Sequence, residues 1–117
     1  MSPAPIKALI DLSVLEQIDV RVGTIESVSA IEGARKLVKL LVNFGDHTRT
    51  IVAGLKKERE DPHEIEGKQS LFVVNLAPRT MRGILSEGML FDIGYADGVR
   101  PVLAVPESAV PNGTRAG

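Results

Sequence analysis

The feature of this sequence that most restricts its fold is an alternating apolar stretch followed by a turn and a second extended stretch. Apolar side chains occupy every second position from Val38 to Phe44. The sequence Gly-Asp-His follows at residues 45–47, and residues 48–53 (TRTIVA) resume an extended pattern. A two-residue repeat places alternate side chains on one face of a strand. The segment therefore predicts a β-hairpin.

Other extended patterns flank this hairpin and indicate an all-β chain. Residues 19–28 (DVRVGTIESV) alternate around Gly23, and a glycine inside a strand indicates a bend. The polar passage after Gly54 predicts a short helix that ends before Asp61-Pro62. Further strands are predicted at residues 71–76, 79–83, 89–93 and 102–105. Short strands with one connecting helix predict a five-stranded Greek-key barrel with terminal extensions.

The length of the chain leaves room for one domain. It has 117 residues, of which 44% are hydrophobic, enough for one core. We expect residues 17–117 to form the domain and residues 1–16 to form an amino-terminal extension. The apolar residues of this extension need cover, which either the end of the barrel or a second subunit would provide. We expect a homodimer.

The composition also bears on compartment. The sequence has no cysteine, which excludes disulfides and thiol nucleophiles and agrees with a reducing cytoplasm. Its amino terminus lacks the basic and long apolar parts of a signal peptide, and no stretch is long enough to span a membrane. We therefore expect a cytoplasmic protein without a membrane partner.

The residue types that catalysis needs are sparse. His47 and His63 are the only histidines, and both lie in loop-like passages. A general base needs a partner within hydrogen-bond reach and a shielded pocket. Phosphate-binding glycine motifs and a nucleophile-elbow serine do not occur. We expect no enzyme activity, no metal and no cofactor.

The charges are unevenly distributed along the chain. The net charge of −1 argues by itself against nucleic-acid binding. The cations of residues 35–57, however, are opposed only by Asp46; they are Arg35, Lys36, Lys39, Arg49, Lys56 and Lys57. Residues 58–66 are mostly acidic. A folded protein can present such a block as a basic patch, and the alternative is a merely solvated surface.

Several segments occur in the order typical of one family. They are DVRVGTI at residues 19–25, RTIVAGL at residues 49–55, NLAPRTMRG at residues 75–83 and SEGML at residues 86–90. In these segments the chain resembles the tRNA-binding domain family. That family includes the domain appended to many methionyl-tRNA synthetases, free-standing tRNA-binding proteins and CsaA-type chaperones. The resemblance implies an OB-fold barrel that binds the outside corner of tRNA without catalysis, usually as a homodimer.

The resemblance also implies RNA contacts for particular residues, to which the charge bias adds others. The candidate RNA-binding residues are Lys36, Lys39, Arg49, Asn75, Arg79, Arg82, Ser86 and Met89. Arginine offers a planar fork of donors to phosphate oxygens, and Ser and Asn can bond phosphate or ribose hydroxyls. Methionine provides an adaptable apolar contact.

Several candidates have a structural alternative. Asn75 is equally suited to bonding a neighbouring backbone group, and Met89 is equally suited to filling the core. Arg79 and Arg82 lie three residues apart, so a regular strand would point them to opposite faces, and we expect Arg79 to reach the RNA. The lysines at residues 56–57 either steer RNA or solvate a loop. This passage lacks the aromatic residues that relatives often carry there, which weakens base stacking.

Two other functions remain open from the sequence. The ending VPNGT at residues 110–114 resembles the end of CsaA-type chaperones, which implies binding of unfolded or precursor polypeptides. An adaptor that docks on an aminoacyl-tRNA synthetase is the third possibility. We expect structure-specific tRNA binding by a free-standing module, because residues 86–90 favour RNA.

Overall fold

Eight short strands and three short helices make up the regular structure of residues 2–55 and 59–117, the part that this computed structural model describes. The strands are β1 (Val20–Ala30), β2 (Val38–Asn43), β3 (Thr48–Ala53), β4 (Gln69–Val73), β5 (Arg79–Met81), β6 (Ile84–Ser86), β7 (Met89–Leu90) and β8 (Arg115–Ala116). The helices are α1 (Leu12–Leu15) and two 3-10 helices, at Pro62–Ile65 and Tyr95–Asp97.

The strands form a curled antiparallel sheet with β1 at its centre. The strand order is β3-β2-β1-β4-β7, and β8 also pairs with β1. The hairpin predicted from the alternating pattern is confirmed, since β2 pairs with β3 from Asn43 opposite Thr48 to Val38 opposite Ala53. The curled sheet and its short helix give an OB-like barrel, so the predicted fold class is also confirmed.

Close packing inside the curl requires a glycine in β1. A Cβ atom on Gly23 would lie 2.5 Å from Cγ1 of Val42 and 2.8 Å from Cε1 of Phe44. Either distance is too short for a real contact, so a side chain here would force strands apart. The register shift of β1 against β2 falls between Ile25 and Ser27, two residues after the glycine at which the sequence predicts a bend.

The main core fills the inside of the curl. In β2 the apolar residues of the alternating pattern are buried while the residues between them are exposed. The rings of Phe44 and Phe72 meet edge to face, with centroids 5.6 Å apart. The fully buried side chains include Phe72, Ile25, Leu40, Ile51 and Ile65. Branched side chains and two aromatic rings therefore supply the core of a chain that is poor in aromatic residues.

A smaller cluster lies on the outer face of the sheet. Val52 alternates with the core residue Ile51 along β3 and stands opposite the exposed Lys39. Met81 and Ile84 of hairpin β5–β6 pack on this cluster. The members of this outer cluster are Ile31, Ala34, Leu37, Val52, Met81 and Ile84. The cluster holds the hairpin and the loop before β2 together against the outside of the barrel.

The connecting helix differs from the prediction. The sequence pattern predicts a helix that ends before Pro62, but the 3-10 helix begins at that proline. The carboxylate of Asp61 accepts a hydrogen bond from the backbone N–H of His63 at 3.1 Å. Proline suits the first position of a helix, because no intrahelical partner is needed for its missing N–H. This 3-10 helix follows the position of the predicted helix, which falls largely at residues 56–58, outside the described residues.

The carboxyl-terminal strands are shorter than the sequence predicts. The strand expected at residues 89–93 is reduced to β7, and residues 102–105 contribute one bridge between Ile93 and Val102. The strand predicted at residues 71–76 begins and ends earlier, as β4. The sequence pattern does not predict β8, which pairs with β1 through Arg115 and Ala116. Short strands of this kind depend on pairing partners far away in the sequence.

The amino-terminal segment leaves its apolar side chains in solvent. Ile6 is 96% exposed and Leu9 is 97% exposed, and α1 buries none of its residues. The segment therefore does not close over the end of the barrel. The other expectation, cover by a second subunit, remains a prediction. Within the described residues, no helix combines the length and apolar character that a membrane span requires.

Candidate nucleic-acid interface

Hairpin β5–β6 projects two arginines from the barrel. Its turn consists of Arg82 and Gly83, whose φ angles are 52° and 78°. Two-residue turns with positive φ at both positions match the twist of paired strands, which explains the glycine. Arg82 is thus exposed at the tip, and Arg79 is exposed where the hairpin begins. The expectation that one regular strand points the two to opposite faces was wrong, because Arg82 belongs to the turn.

Two lysines lie beside this hairpin. Lys36 is exposed and directly precedes Leu37, a member of the outer cluster. Lys39 is exposed and stands opposite Val52, the residue on which the hairpin packs. The structure therefore gathers four of the candidate residues around one apolar cluster. We call this set the basic hairpin surface; it consists of Lys36, Lys39, Arg79 and Arg82.

Arg49 is not part of that surface. It stands opposite the buried Val42, on the inner face of the sheet at the end of the barrel. Its Nη1 donates to the carbonyl oxygen of Val74 at 2.6 Å and to that of Glu87 at 3.2 Å. Its guanidinium carbon lies 5.8 Å from the ring centroid of Phe44. Protein groups therefore engage a side chain that the sequence assigns to RNA.

His47 is a residue whose role the sequence did not reveal. It lies exposed in the loop before β3, and its ring stacks on Phe44 with centroids 5.6 Å apart. Its Nε2 accepts a hydrogen bond from Nε of Arg49 at 3.0 Å, and its Nδ1 lies 2.6 Å from Oδ1 of Asp46. The available signal was the spacing of His47 and Arg49, since residues two apart in a strand share a face.

Asn75 uses its amide group to anchor the chain before β1. Its Oδ1 accepts from the backbone N–H of Asp19 at 2.8 Å, and its Nδ2 donates to the carbonyl of Gln17 at 2.7 Å. Asn75 therefore bonds neighbouring backbone groups, which is the alternative to RNA contact that the sequence left open. The side chain is nevertheless exposed, so its outer surface stays accessible.

Ser86 lies inside the protein. The residue is 5% exposed, and its Oγ accepts the backbone N–H of Val52 at 3.0 Å and donates to the carbonyl of Gly88 at 3.2 Å. Next to it, the N–H of Glu87 donates to the carbonyl of Thr50 at 2.9 Å. These bonds join β3 to the end of the hairpin and help to close the barrel. The hydroxyl therefore faces the interior rather than the surface on which the resemblance puts it.

Met89 lies at an apolar groove on another part of the barrel. It is 44% exposed and stands opposite Val73 of β4. The groove has a volume of about 480 Å³, and its lining includes Leu37, Met89, Phe91 and Tyr95. Leu37 also belongs to the outer cluster, so the groove begins beside the basic hairpin surface.

The electrostatics of the barrel end differ from those of the hairpin. Asp19, Arg21, Asp46 and Arg49 all line one pocket of about 240 Å³. The hydrogen bond from Arg21 lowers the pKa of Asp19, and the hydrogen bond with His47 lowers the pKa of Asp46. Both carboxylates therefore stay ionised at neutral pH and offset the two guanidinium groups. The four residues of the basic hairpin surface are exposed cations, and positive charge of this kind suits phosphate.

The described residues offer no obvious metal site. In residues 2–55 and 59–117, no group of three or more His, Cys, Asp or Glu side chains is placed to hold a metal ion. Two carboxylates of the acidic passage make structural bonds instead. Glu66 accepts the backbone N–H of Val28 at 2.8 Å, and Glu64 pairs with Arg59 at 2.5 Å.

The chain belongs to the class of OB-like barrels and carries a cationic hairpin, and comparison with known proteins identifies the family. Residues 20–115 match the family model described as “Putative tRNA binding domain”. This match covers most of the chain, which therefore belongs to the tRNA-binding domain family.

Individual relatives show the contexts in which such domains occur. The methionine–tRNA ligase of Nitrosomonas europaea is 37% identical over 112 residues, a region that covers 96% of this chain but 16% of that ligase. The MetRS related protein of Pyrococcus horikoshii is 35% identical with a TM-score of 0.86, covering 95% of this chain and 100% of that one. The chaperone CsaA of Bacillus anthracis is 26% identical with a TM-score of 0.82, and the match covers 94% of this chain and 100% of that chaperone.

Proposed function

We propose that this chain binds structured tRNA without catalysing a reaction, as a module that works without an attached synthetase. Family membership supports tRNA as the ligand. The observation that carries the proposal is the basic hairpin surface, where exposed cations surround one packed apolar cluster. The MetRS related protein of Pyrococcus horikoshii, covered over its full length, supports a module of this size. A tRNA ligand would place the protein in the cytoplasm.

The kind of contact follows from the residue types. Arg79 and Arg82 provide planar donor forks, which suit phosphate oxygens, and Lys36 and Lys39 add point charges beside them. Such groups recognise the path of an RNA backbone and carry little information on base sequence. The hairpin packs on an apolar cluster, which holds the backbone positions of its two arginines in place. We infer recognition of tRNA shape rather than of a short sequence.

We also propose that two copies of the chain associate. Two stretches of the chain expose apolar side chains that a second copy would cover. They are Ile6, Leu9, Ile10, Leu12 and Leu15 in the amino-terminal part, and Phe91, Ile93, Tyr95, Val99, Val102 and Val105 in the carboxyl-terminal part. Mass measurement in solution tests this, and a monomer at all concentrations contradicts it. A synthetase is a further proposed partner, because the ligase relative contains this domain.

One observation favours a second candidate function, the binding of unfolded polypeptides. The groove that includes Met89, Phe91 and Tyr95 is largely apolar, and the chaperone CsaA of Bacillus anthracis has a similar structure. Apolar segments of a client would fit such a groove. Suppression of aggregation of an unfolded client supports this function, and a lack of both suppression and peptide binding contradicts it.

The decisive experiment measures tRNA affinity over a series of salt concentrations. We expect binding that weakens from about 50 mM to about 200 mM salt, with a logarithmic slope of about 0.7–0.9 for each neutralised phosphate. An unstructured RNA of equal length is the control and should bind more weakly, since it lacks the folded shape. An unfolded protein added as competitor separates the two candidate functions. Absence of tRNA binding at the lowest salt contradicts the proposal.

A further inference from the structure

One side chain joins the two ends of the segment that carries the family motif. Arg49 donates to the carbonyl of Val74 at 2.6 Å and to the carbonyl of Glu87 at 3.2 Å. These carbonyls stand immediately before and after residues 75–86, which contain hairpin β5–β6. A single guanidinium therefore bridges the point where the chain leaves the barrel and the point where it returns.

A histidine fixes the direction of this guanidinium. Nε of Arg49 donates to Nε2 of His47 at 3.0 Å, while Nδ1 of His47 lies 2.6 Å from Oδ1 of Asp46. Nε2 can accept this hydrogen bond only in the tautomer that carries its single ring proton on Nδ1. Both His47 and Arg49 also pack against the ring of Phe44. We call the arginine, the histidine and the two carbonyls the Arg49 clamp.

We propose that Arg49 is a positioning residue for tRNA binding and not a phosphate contact, and that neutral His47 holds it in place. This inference rests on the function proposed above, since the clamp fixes the hairpin that presents two exposed arginines. A protonated His47 has no acceptor for Nε of Arg49, and two cations at hydrogen-bond distance repel each other. Proton uptake by His47 therefore loosens the clamp and weakens tRNA binding.

Other charged groups near the histidine bear on this effect. They are Asp46 and Arg49 beside the ring, Asp19 and Arg21 in the same pocket, and Arg115, whose charge acts on Asp19. Asp19 and Arg21 form a two-point ion pair at 2.9 and 3.0 Å, so their charges largely offset. The bond from Arg49 is therefore the contact that proton uptake removes.

Three variants separate positioning from direct contact. Arg49→Lys keeps the charge, but one ammonium group cannot span both carbonyls and the histidine. His47→Gln introduces an amide oxygen that can accept from Arg49, and this amide does not take up a proton. His63→Gln is the matched control, because His63 is the other histidine of the chain and lies on a 3-10 helix.

Two measurements read out the clamp, and one of them needs no RNA. Hydrogen–deuterium exchange of residues 75–86, corrected for the intrinsic effect of pH, reports how firmly the segment is held. Exchange of β2 amides in the same sample is the internal reference. Affinity for tRNA is then measured at constant low salt, at about pH 8 and about pH 5.5, a range over which imidazole side chains change their charge.

We expect Arg49→Lys to raise exchange in residues 75–86 about tenfold and to weaken tRNA binding about tenfold, as loss of one charge-assisted hydrogen bond predicts. Exchange in β2 should change little. A direct phosphate contact would instead weaken tRNA binding and leave exchange in residues 75–86 at the wild-type value, because exchange is measured without RNA. Wild-type exchange in Arg49→Lys would therefore overturn the proposal.

The histidine variants decide the matter if Arg49→Lys does not fold. The pH-dependent rise in exchange and loss of affinity should persist in His63→Gln and be reduced in His47→Gln. The same pH response in His47→Gln as in the wild type would overturn the role of His47. Failure of the wild-type protein to bind any tRNA is a different result: it removes the proposed function, and the exchange data alone then decide whether the clamp exists.

Discussion

The polar side chains that the sequence assigned to RNA fall into two groups with different surroundings. The cations of the basic hairpin surface are exposed and border solvent. Arg49, Asn75 and Ser86 instead bond backbone groups that lie 25, 56 and 34 residues away in the sequence. We call the first group the ligand surface, because its side chains are free to contact a partner. We call the second group the frame, because its side chains hold parts of the backbone together.

The contrast between exposed and backbone-bonding side chains explains why polar residues are frequent in the family segments. A backbone N–H or C=O in the protein interior needs a hydrogen-bond partner, and a short curled sheet leaves several without one. Ser86 supplies a partner to Val52, Asn75 supplies one to Asp19, and Arg49 supplies one to Val74. Residue types that suit RNA therefore also suit barrel closure, and only their surroundings distinguish the two roles.

The largest effect is expected from removing a frame residue. Ser86→Ala leaves the N–H of Val52 unpartnered in the interior, which should lower the free energy of unfolding by about 1–3 kcal/mol. Urea denaturation measures this loss. Folded Ser86→Ala should still bind tRNA with nearly wild-type affinity, because the hydroxyl does not reach the surface.

The control for this variant is Ser108→Ala, which removes a hydroxyl from an exposed loop position and should leave the free energy of unfolding almost unchanged. The comparison between frame and ligand surface breaks down if Ser86→Ala keeps its stability and loses its affinity. That result would give the hydroxyl a direct part in binding.

A smaller effect is expected from substitutions in hairpin β5–β6, and it should fall on tRNA affinity rather than on stability. The double variant Arg79→Gln with Arg82→Gln should weaken tRNA binding about tenfold and reduce the slope of the salt dependence by about 1–2, since up to two phosphate contacts are lost. Its unfolding free energy should stay close to that of the wild type, because both side chains are exposed.

The matched control replaces both arginines by lysine. This variant keeps both charges, so the salt slope should be retained while the planar two-point contacts are lost. Unchanged affinity in the glutamine variant would move the ligand away from this surface, and the apolar groove beside Met89 would become the better candidate.

Local sequence patterns predict the barrel well where the structure depends on local alternation. The bounds of β3 match the predicted extended stretch at residues 48–53, because burial on one face of a strand imposes a two-residue repeat. The resemblance of these segments to the family also predicts the OB-like fold correctly. The short strands β7 and β8 follow less closely from the sequence, since their pairing depends on β4 and β1 far away in the chain.

The candidate site is harder to predict for a related reason. Nothing in the sequence near Arg49 indicates that Val74 and Glu87 come within its reach, and the sequence around Ser86 does not reveal that Val52 needs a partner. Arg82 was misplaced in a strand because the positive φ of a two-residue turn usually falls on Gly, Asn or Asp. Residue type predicts what a side chain can bond, whereas the fold decides which partner it meets.

The smallest expected effect concerns Glu66, an exposed residue that nevertheless belongs to the frame. Its hydrogen bond from the N–H of Val28, aided by His63, lowers the pKa of this carboxyl below the ordinary 4.5. A lowered pKa in the folded state means that ionised Glu66 stabilises the fold above the ordinary pKa, and that this stabilisation is lost as the pH falls through the folded value.

Glu66→Gln removes this titration and keeps an oxygen that can accept from Val28. The difference in unfolding free energy between the wild type and Glu66→Gln should therefore shrink as the pH falls below the ordinary pKa of this carboxyl. Lowered pKa values of Asp19 and Asp46 affect both proteins equally, so the difference isolates Glu66. A difference that does not vary with pH would contradict this role. An exposed carboxylate that stabilises a strand shows that exposure alone does not assign a residue to the ligand surface, because its hydrogen-bond partner must also be known.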